Sequence, residues 1–489
     1  MSAVTPHEVE RKGVALALDL GTTTLAGRLL TADGTVLAET RLANPQRPLG
    51  ADILTRLQRA EAGEGAELRR LLIEGIGALV AELLSGAGGK AEHIAAAAAA
   101  GNPGICHLLL GLPVASLLHP PHRTPLTQLV TLPMGVLLDH GAFDAGDSDT
   151  GILVNSLNWE PATNPPIDQY TNIPLLNSSS LTTHITLFPA VSGFVGGDLV
   201  AVLYGACGTV DPYPGILANS LNRESATDRP IHQYPHESAL PVTLVLDLGT
   251  NAELALWNGT RWLATSAAAG PAFEAGNITC GMPLAPGAVT DVRICGDRLE
   301  LTVFGGGRPE GLCGSGLLAL VAAARQGGLI DATGRIIAPD EVGTNLARYL
   351  VADGEGWGIC FHRDARGELR LTQEDVRQLQ LAKGAVRAGI DVLLDRAGLT
   401  PADVAEVLLT GAFGAALPTA AVKGIALLPA AMLDKLFCVP NGVLDGLAAF
   451  VTDPRGPERL KALHAALKPL PLSGTPAFER RFLAAMDFG

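Results

Sequence analysis

Two similar segments decide the fold of this chain: Leu18-Asp19-Leu20-Gly21-Thr22-Thr23-Thr24 near the start, and Leu246-Asp247-Leu248-Gly249-Thr250-Asn251 in the middle. Each segment follows an apolar run rich in β-favouring residues, at positions 14–18 and 242–246. We therefore expect an aspartate at the end of a buried strand, followed by a tight Gly-Thr turn. A single turn of this kind is also typical of a plain hairpin, whereas two copies indicate two related lobes.

The residue types in these segments suit the binding of phosphate. Glycine lets the backbone approach phosphate oxygens closely, and threonine hydroxyls and backbone N–H groups donate to those oxygens. Aspartate carboxylates are ligands that hold a hydrated Mg²⁺. We predict Asp19 and Asp247 as the Mg²⁺ ligands, and two lobes that bind one nucleotide. The nucleotide-contacting residues predicted in the two turns are Gly21, Thr22, Thr23, Gly249, Thr250 and Asn251.

Length and composition narrow the function classes. A chain of 489 residues is long enough for two or more lobes, and 47% hydrophobic residues with 17% charged residues is typical of a well-buried enzyme. The net charge of −14 and the 4% aromatic content argue against nucleic acid as a partner. No apolar run reaches the length of a membrane span, and residues 1–12 do not resemble a signal peptide. We therefore expect a cytoplasmic protein without a membrane partner.

The cysteines favour structural roles. None belongs to a C-x-x-C pair, whereas zinc sites and ferredoxin-type clusters usually draw ligands from closely spaced cysteines. We interpret them mainly as reduced, buried side chains. The seven are Cys106, Cys207, Cys280, Cys295, Cys313, Cys360 and Cys438.

An internal repeat marks two insertions. Residues 151–170 read GILVNSLNWEPATNPPIDQY, and residues 215–234 read GILANSLNRESATDRPIHQY, so fourteen of twenty positions match. The flanking residues do not match, which excludes a domain duplication or a solenoid. The Asn, Pro, Ser and Thr content is typical of loops. We predict two loop insertions, at about 151–185 and 209–240, with a pair of partner-binding arms as the alternative.

The chain resembles a known superfamily in several motifs together. The two Asp-x-Gly-Thr turns and Thr410-Gly411-Ala412-Phe413-Gly414 are similar to the phosphate-1, phosphate-2 and adenosine motifs shared by acetate and sugar kinases, heat-shock chaperones and actin. Most of the chain resembles the ASKHA-type ATPase domain of reductive activators of corrinoid proteins. The further motifs that carry this resemblance are Asn44-Pro45-Gln46, Gly50-Ala51-Asp52, Gly101-Asn102 with His107, Val195-Gly196-Gly197-Asp198, Ala269-Gly270-Pro271-Ala272-Phe273-Glu274, Cys280-Gly281-Met282, Cys313-Gly314-Ser315-Gly316, Gln380-Leu381-Ala382-Lys383 and Pro476-Ala477-Phe478.

The resemblance implies a fold and a domain organisation. The fold class is α/β, a two-lobed actin-like ATPase with ribonuclease H-like lobes and the nucleotide in the interlobe cleft. The first lobe, 1–240, carries the phosphate-1 loop and both insertions. The second lobe, 241–489, carries the phosphate-2 and adenosine motifs, and its C-terminal segment is a candidate to pack back on the first lobe. The first strand starts at Val14, which leaves no room for the N-terminal [2Fe–2S] domain that long family members carry.

The resemblance also implies a function: ATP-dependent return of an inactive Co(II) corrinoid, on a protein of a methyltransferase system, to reactive Co(I). The implied cofactors are ATP and Mg²⁺. The implied partners are a corrinoid (cobalamin-type) protein and a separate low-potential electron donor, and a second copy of the chain is left open.

Family roles carry over to six further residues. Asp198 matches the acid that positions the attacking water or hydroxyl in related enzymes, although an aspartate there also suits a helix N-terminus. The small residues Gly411, Ala412 and Gly414 match the adenosine contact. Gly314 and Ser315 match a ribose-bordering turn, for which an ordinary strand-to-helix turn is the alternative. Together with Asp19 and Asp247, Asp198 completes the predicted catalytic set.

Two other functions remain open at the level of sequence. The first is a [4Fe–4S] activator ATPase of a radical dehydratase, since Cys280 and Cys313 lie in Gly-rich turns that a dimer could bring together around one cluster. The second is a small-molecule or acyl-phosphate kinase, which would transfer phosphate to an alcohol or a carboxylate.

Overall fold

The structure is a computed structural model that describes residues 13–135, 183–207, 241–411, 413, 417–472 and 474–489. The repeats at 151–170 and 215–234, and the predicted adenosine-contacting residues Ala412 and Gly414, lie outside the described residues. The chain divides into two compact units. Unit 1 comprises Met1–Ala239 with Gly442–Pro469, and unit 2 comprises Leu240–Asn441 with Leu470–Gly489.

The described residues form alternating strands and helices. The strands are β1 (Val14–Leu20), β2 (Thr24–Thr31), β3 (Val36–Ala43), β4 (Ile94–Ala100), β5 (Val130–Pro133), β6 (His184–Leu187), β7 (Thr243–Leu248), β8 (Ala252–Trp257), β9 (Trp262–Ala267), β10 (Ala288–Cys295), β11 (Arg298–Val303), β12 (Gly311–Leu312), β13 (Leu350–Asp353), β14 (Gly356–Asp364), β15 (Gly367–Leu371), β16 (Glu406–Gly411), β17 (Leu436–Cys438) and β18 (Leu467–Pro469). The α-helices are α1 (Ile53–Arg59), α2 (Gly65–Ala87), α3 (Pro103–Leu110), α4 (Ala115–Leu118), α5 (Gly197–Cys207), α6 (Gly314–Gln326), α7 (Gln373–Ala397), α8 (Thr419–Gly424), α9 (Gly442–Thr452), α10 (Gly456–Ala465) and α11 (Pro476–Ala484). A π-helical turn, Ala60–Glu64, joins α1 to α2, and 3₁₀ turns span Arg47–Leu49, Ala91–His93, Pro271–Glu274, Pro339–Glu341, Asn345–Tyr349 and Ala430–Lys435.

Unit 1 is built on a six-stranded sheet with the order β3-β2-β1-β4-β6-β5. The central strand β1 pairs antiparallel with β2 and parallel with β4. Its apolar residues are fully buried and form a core with the inward face of α2, which explains the continuous hydrophobic run before Asp19. The register places Asp19 opposite Ala26 on β2 and Ala100 on β4. The only carboxylate of β1 therefore stands at its C-terminal end, where an α/β sheet binds ligands.

Two helices of unit 1 meet at an unusually close crossing. Helix α9 packs on α5, and a Cβ built on Gly446 of α9 would lie only 1.7 Å from the carbonyl oxygen of Ala201 on α5. A Cβ on Gly205 would lie 2.9 Å from Cα of Gly446. Glycine is required at position 446 because the backbones of the two helices are in direct contact there.

A buried arginine fixes α9 against the sheet of the same unit. Arg28 of β2 is 6% exposed. Its guanidinium donates to Asp445 of α9 at 2.7 Å and to Glu39 of β3 at 2.9 Å. A guanidinium in this environment needs both carboxylates, because an unpaired buried charge is costly.

Unit 2 repeats the strand pattern of unit 1. Five of its strands follow the order β17-β16-β7-β8-β9, with β7 parallel to β16 and antiparallel to β8. This arrangement matches that of β1 between β4 and β2. Strand β7 carries an apolar run, Leu244–Leu246, before its penultimate residue Asp247, as β1 does before Asp19. The predicted pair of related α/β lobes is thus confirmed in the strand pattern of the two units.

The long helix α7 has residues at both ends that favour its start and its stop. Thr372 and Asp375 form a reciprocal capping box: the Thr372 side chain accepts from the Asp375 N–H at 3.2 Å, and the Asp375 carboxylate accepts from the Thr372 N–H at 2.8 Å. The helix ends at Gly398, whose φ of 69° is the left-handed conformation that glycine supplies at a C-terminus.

Candidate functional site

The first predicted phosphate loop is held by a neighbouring asparagine. Asn44 donates from its side-chain amide to the carbonyl oxygen of Gly21 at 2.9 Å, and its backbone N–H donates to the carbonyl oxygen of Thr23 at 2.9 Å. A Cβ on Gly21 would lie 2.5 Å from the carbonyl oxygen of Thr24, so the turn is too tight for a side chain at that position. Asp19 is partly exposed at the mouth of this loop.

A second asparagine contacts the same loop from the start of α3. The Asn102 side chain donates to the Thr22 hydroxyl oxygen at 2.9 Å and accepts from the Ile105 N–H at 3.0 Å. Both Thr22 and Asn102 are buried, at 7% and 6% exposure. Asn102 thus caps α3 and contacts the predicted phosphate loop with one side chain.

The loop that carries Asp198 joins this arrangement. The Gly197 N–H donates to the carbonyl oxygen of Gly101 at 3.1 Å. A Cβ on Gly196 would lie 2.6 Å from Cα of Asn102, so the two loops are in backbone contact. The predicted site residues of unit 1, which the sequence separates by up to 179 positions (198 minus 19), thus lie on loops that meet at one end of the sheet.

Asp198 lies in the first turn of α5 and is partly exposed. One carboxylate oxygen accepts from the Leu199 N–H at 3.0 Å. An anion is favoured at this end of a helix, where backbone N–H groups lack partners within the helix. Both sequence interpretations of Asp198 are compatible with this placement: it stabilises the helix start, and it presents an oxygen to the adjoining loops.

In unit 2, Asp247 belongs to a polar row across the sheet. The register places it directly opposite Glu253 on β8 and opposite Thr410 on β16. Glu253 and Thr410 are 2% and 5% exposed, whereas Asp247 is partly exposed. Directly paired residues on adjacent strands point to the same face of a sheet. A carboxylate and a hydroxyl therefore flank Asp247 on both sides, which is an oxygen-rich environment suited to Mg²⁺.

The second phosphate loop is bound to an acidic residue that sequence reasoning left without a defined role. The Thr250 N–H donates to a carboxylate oxygen of Glu274 at 3.0 Å. A Cβ on Gly249 would lie 3.1 Å from the same oxygen. Asn251 is partly exposed at the end of the turn. Glu274 therefore holds this loop by its backbone.

The remaining predicted residues of unit 2 pack closely together. Gly411 has a φ of 133°, and a Cβ there would lie 2.1 Å from the carbonyl oxygen of Leu248, in the strand before the second loop. A Cβ on Gly314 would lie 1.9 Å from the carbonyl oxygen of Phe273. Both glycines are thus required by backbone contacts, and they bring the start of α6 and the end of β16 toward the second loop.

Ser315 has a different environment from that of an exposed ribose contact. It is completely buried, its hydroxyl donates to the carbonyl oxygen of Thr290 at 2.9 Å, and its N–H donates to the carbonyl oxygen of Phe413 at 3.4 Å. The Ser315 hydroxyl is therefore engaged inside unit 2, and the alternative interpretation as a strand-to-helix turn describes this contact well.

The cysteines that would ligate a cluster point inward. Cys313 is 1% exposed, and its thiol donates to the carbonyl oxygen of Val289 at 3.3 Å. The Cys280 thiol donates to the carbonyl oxygen of Arg370 at 3.3 Å, and burial raises its pKa to about 12. Iron–sulfur clusters bind thiolates. Both thiols thus donate to backbone carbonyl oxygens of unit 2, Cys313 from a buried position and Cys280 from a partly exposed one.

Within the described residues no group of three or more His, Cys, Asp or Glu is arranged to hold a metal ion. No helix of the described part combines the length and the apolar character needed to cross a bilayer.

Family models match both parts of the chain. The model described as the C-terminal domain of RACo, the ASKHA domain, matches residues 241–489. The model described as the RACo middle region matches residues 14–137. The first match covers unit 2 with the second phosphate loop, and the second match covers the first phosphate loop and Asn102.

Individual relatives extend this match. The chain is 26% identical over 495 aligned positions to the corrinoid activation enzyme RamQ of Eubacterium limosum, covering 99% of this chain and 72% of the relative. It is 29% identical over 195 positions to the [Co(II) methylated amine-specific corrinoid protein] reductase of Methanosarcina barkeri, covering 35% of this chain and 32% of that protein.

A solved structure has the same fold. The reductive activator for corrinoid, iron-sulfur protein superposes with a TM-score of 0.76 at 23% identity, over 98% of this chain and 66% of that one. The chain thus spans about two thirds of the length of that structure. The architecture of the two units and the match over 241–489 lead to one conclusion: this chain belongs to the family defined by the C-terminal ASKHA domain of RACo.

Proposed function

We propose that this chain is an ATPase that returns the Co(II) corrinoid of a partner protein to Co(I), with the electron supplied by a separate low-potential donor. Two related proteins are named for corrinoid activation or reduction, which supports this substrate class. The observation that carries the ATPase part is the pair of Asp-Leu-Gly-Thr strand ends, one in each unit. A role that uses ATP is consistent with a cytoplasmic location.

The donor set suits Mg·ATP. Asp19 in unit 1 and Asp247 in unit 2 are each partly exposed carboxylates, of the kind that would hold Mg²⁺ through its water ligands. Mg²⁺, when bound, neutralises phosphate charge. Thr22, Thr23 and Thr250 would donate to phosphate oxygens, since each lies in a turn that begins with glycine, where the backbone can come close to a phosphate.

Hydrolysis needs a group that orients the attacking water. Asp198 is the candidate in unit 1, because it presents a partly exposed carboxylate beside the first loop, through the contacts of Gly196 and Gly197. A carboxylate in this position would accept a hydrogen bond from water and hold it for in-line attack.

Coupling to the corrinoid requires differential binding. The step adds one electron to Co(II) to give Co(I), and the donor loses that electron. Nucleotide favours the step only if the nucleotide-bound and nucleotide-free forms of the chain bind the Co(II) protein with unequal affinity. We therefore expect ATP to weaken or reshape the complex with the corrinoid protein.

The test compares Asp19→Asn and Asp247→Asn with Asp340→Asn, an exposed residue outside every predicted site. The first two changes should lower phosphate release from Mg·ATP by roughly a hundred-fold, because a metal-binding charge is lost while the side-chain volume is kept. The melting temperature should stay within about 2 °C, since no core volume changes. Asp340→Asn should match the parent chain in both measurements.

A second arm tests the corrinoid step. The parent chain, an external donor and candidate corrinoid proteins are followed by visible spectroscopy, and ATP should raise the yield of Co(I). Parent-like hydrolysis in both Asp variants would refute the two-loop assignment. ATP-dependent phosphorylation of an added alcohol or carboxylate, without any effect on Co(I), would favour a kinase.

A further inference from the structure

We infer that Asn102 is a positioning residue that directs the hydroxyl proton of Thr22 toward the bound phosphate. The inference rests on the proposed ATPase function and assigns the donor geometry of its first loop. It starts from two hydrogen bonds that Asn102 makes at once, to Ile105 at 3.0 Å and to Thr22 at 2.9 Å.

The first bond fixes the orientation of the amide. The Ile105 N–H can only donate, so the atom of Asn102 that it contacts must be the carbonyl oxygen. The amide nitrogen then faces Thr22. An amide NH₂ group has no lone pair for accepting, so it must donate to the Thr22 oxygen. The chemistry of the helix cap thus sets the direction of the second hydrogen bond.

The second bond determines what the Thr22 hydroxyl can do. Its oxygen accepts from Asn102, so its own proton is directed elsewhere. Among the described residues, no acceptor for that proton is found, although Thr22 is only 7% exposed. A buried hydroxyl with an unused proton is costly unless an acceptor arrives. A phosphate oxygen in the first loop is the acceptor that suits this geometry.

Backbone contacts make the arrangement rigid. Asn102 follows Gly101, whose carbonyl oxygen accepts from the Gly197 N–H, and a Cβ on Gly101 would lie 2.9 Å from the carbonyl oxygen of Leu20. Leu20 comes directly before the phosphate loop. The donor direction is therefore established by the fold before a nucleotide binds, which avoids an ordering cost at that moment.

The simpler role for Asn102 is that of a helix cap alone, and one substitution separates the two. Asn102→Asp keeps a good cap, because aspartate and asparagine are equally favoured there. It replaces the amide donor with a second acceptor. The Thr22 proton would then bond to the new carboxylate, and the added negative charge would repel phosphate. A capping role alone leaves only the repulsion of phosphate by the added charge, and that loss of affinity would add in full to the effect of Thr22→Val.

The experiment measures the Kd of Mg·ATP, kcat, KM and the melting temperature for Asn102→Asp, Thr22→Val and the double variant. We expect Asn102→Asp to weaken Mg·ATP binding by roughly ten- to a hundred-fold, with a melting temperature within about 2 °C of the parent. The Kd of the double variant for Mg·ATP should be no higher than that of the single variant with the higher Kd, because both changes remove the same donor.

Asp52→Asn is the matched control. Asp52 caps α1 by accepting from the Thr55 N–H at 2.8 Å, so the opposite exchange at another cap of unit 1 should leave Kd unchanged. Parent affinity in folded Asn102→Asp, or full additivity with Thr22→Val, would overturn the inference while the ATPase proposal stands. Failure of the parent chain to bind Mg·ATP would overturn both.

Discussion

The contact between Gly446 and Ala201 gives the sharpest test of how the fold supports the site. A Cβ at position 446 would lie 1.7 Å from the Ala201 carbonyl oxygen, 2.5 Å from its carbonyl carbon and 3.2 Å from the Gly205 nitrogen. These are backbone atoms, so no rotamer change can relieve the clash. Gly446→Ala must therefore push α9 and α5 apart, by roughly 1.5–2 Å if ordinary contact distances are restored.

Two opposing effects determine the magnitude. Overpacking of this kind costs about 1–3 kcal/mol and occasionally more, and the backbone clash here places it at the upper end. Replacing a helical glycine with alanine recovers about 1 kcal/mol of helix propensity. We expect a net loss of about 2 kcal/mol in the free energy of unfolding, which is a fall of roughly 4–8 °C in melting temperature for a unit of this size.

The matched control is the same substitution at an exposed helical glycine. A Cβ on Gly86, in the last turn of α2, would lie 3.9 Å from Cβ of Ala38, which is an ordinary contact. Gly86→Ala should leave stability unchanged or raise it by about 0.5 kcal/mol. The assays are thermal unfolding and phosphate release.

Hydrolysis should fall in Gly446→Ala even at temperatures where the chain remains folded. The reason is that Ala201 lies one helical turn after Asp198, so a displaced α5 also displaces that carboxylate. Equal melting temperatures for Gly446→Ala and Gly86→Ala would refute the reasoning, as would a destabilised Gly446→Ala variant with full activity per folded molecule.

Two further predictions concern stability in each unit. In unit 1, burial lowers the pKa of His107 to about 4, so the unfolded chain binds more protons than the folded chain between pH 4 and 6.5. The free energy of unfolding should therefore fall by up to about 3 kcal/mol as the pH drops through that window. Urea titrations at several pH values should show a weaker pH dependence for His107→Gln than for the parent. In unit 2, Asp375→Ala should lower the free energy of unfolding by about 3 kcal/mol. The reason is that the buried Asp375 carboxylate accepts three hydrogen bonds: from the N–H and the hydroxyl of Thr279, and from the N–H of Thr372. The control is Glu374→Ala at the exposed neighbouring residue, which should change the free energy of unfolding by less than about 0.5 kcal/mol in the same denaturation assay.

Local signals made much of the fold predictable from sequence. Strand β1 is a continuous apolar run that ends at a carboxylate, and helix α7 carries its start and stop signals in Thr372 and Gly398. In both cases the deciding interactions lie within a few residues along the chain. Local sequence does not show, by contrast, that His107 is a buried, hydrogen-bonded residue: its ring nitrogens lie 2.8 Å from the Pro113 carbonyl oxygen and from the Thr124 hydroxyl.

The apolar run at 187–191 has the sequence pattern of a strand, but tertiary contacts end the strand at Leu187. The observed strand β6 is His184–Leu187. Pro189 has no N–H to donate to a ladder, and the residues on each side bond to different segments. The Phe188 N–H donates to Ala99, whereas the Ala190 N–H donates to Leu126. An apolar run alone does not distinguish a strand from such a buried crossing.

The side chains that hold the two loops were beyond the reach of sequence pattern for the same reason. Asn102 and Thr22 are 80 positions apart, and Glu274 and Thr250 are 24 apart. The Gly-Asn-Pro-Gly sequence indicates a turn at Asn102, but nothing local indicates which hydroxyl its amide reaches. Family motifs flagged both Asn102 and Glu274 without giving either a role. Only the assembled sheets show that each stands beside a predicted phosphate loop.

The two loops are held by different chemistry, and this difference affects how each would meet a phosphate. In the first loop, the amide groups of Asn44 and Asn102 are neutral, and the Thr22 proton has no acceptor among the described residues. In the second, the Thr250 N–H already donates to the carboxylate of Glu274. A phosphate that approaches the second loop must share or replace that bond and must face a negative charge nearby. Under the proposed function, a phosphate at the first loop would meet the Thr22 proton, whereas a phosphate at the second loop would compete with Glu274 for the Thr250 N–H.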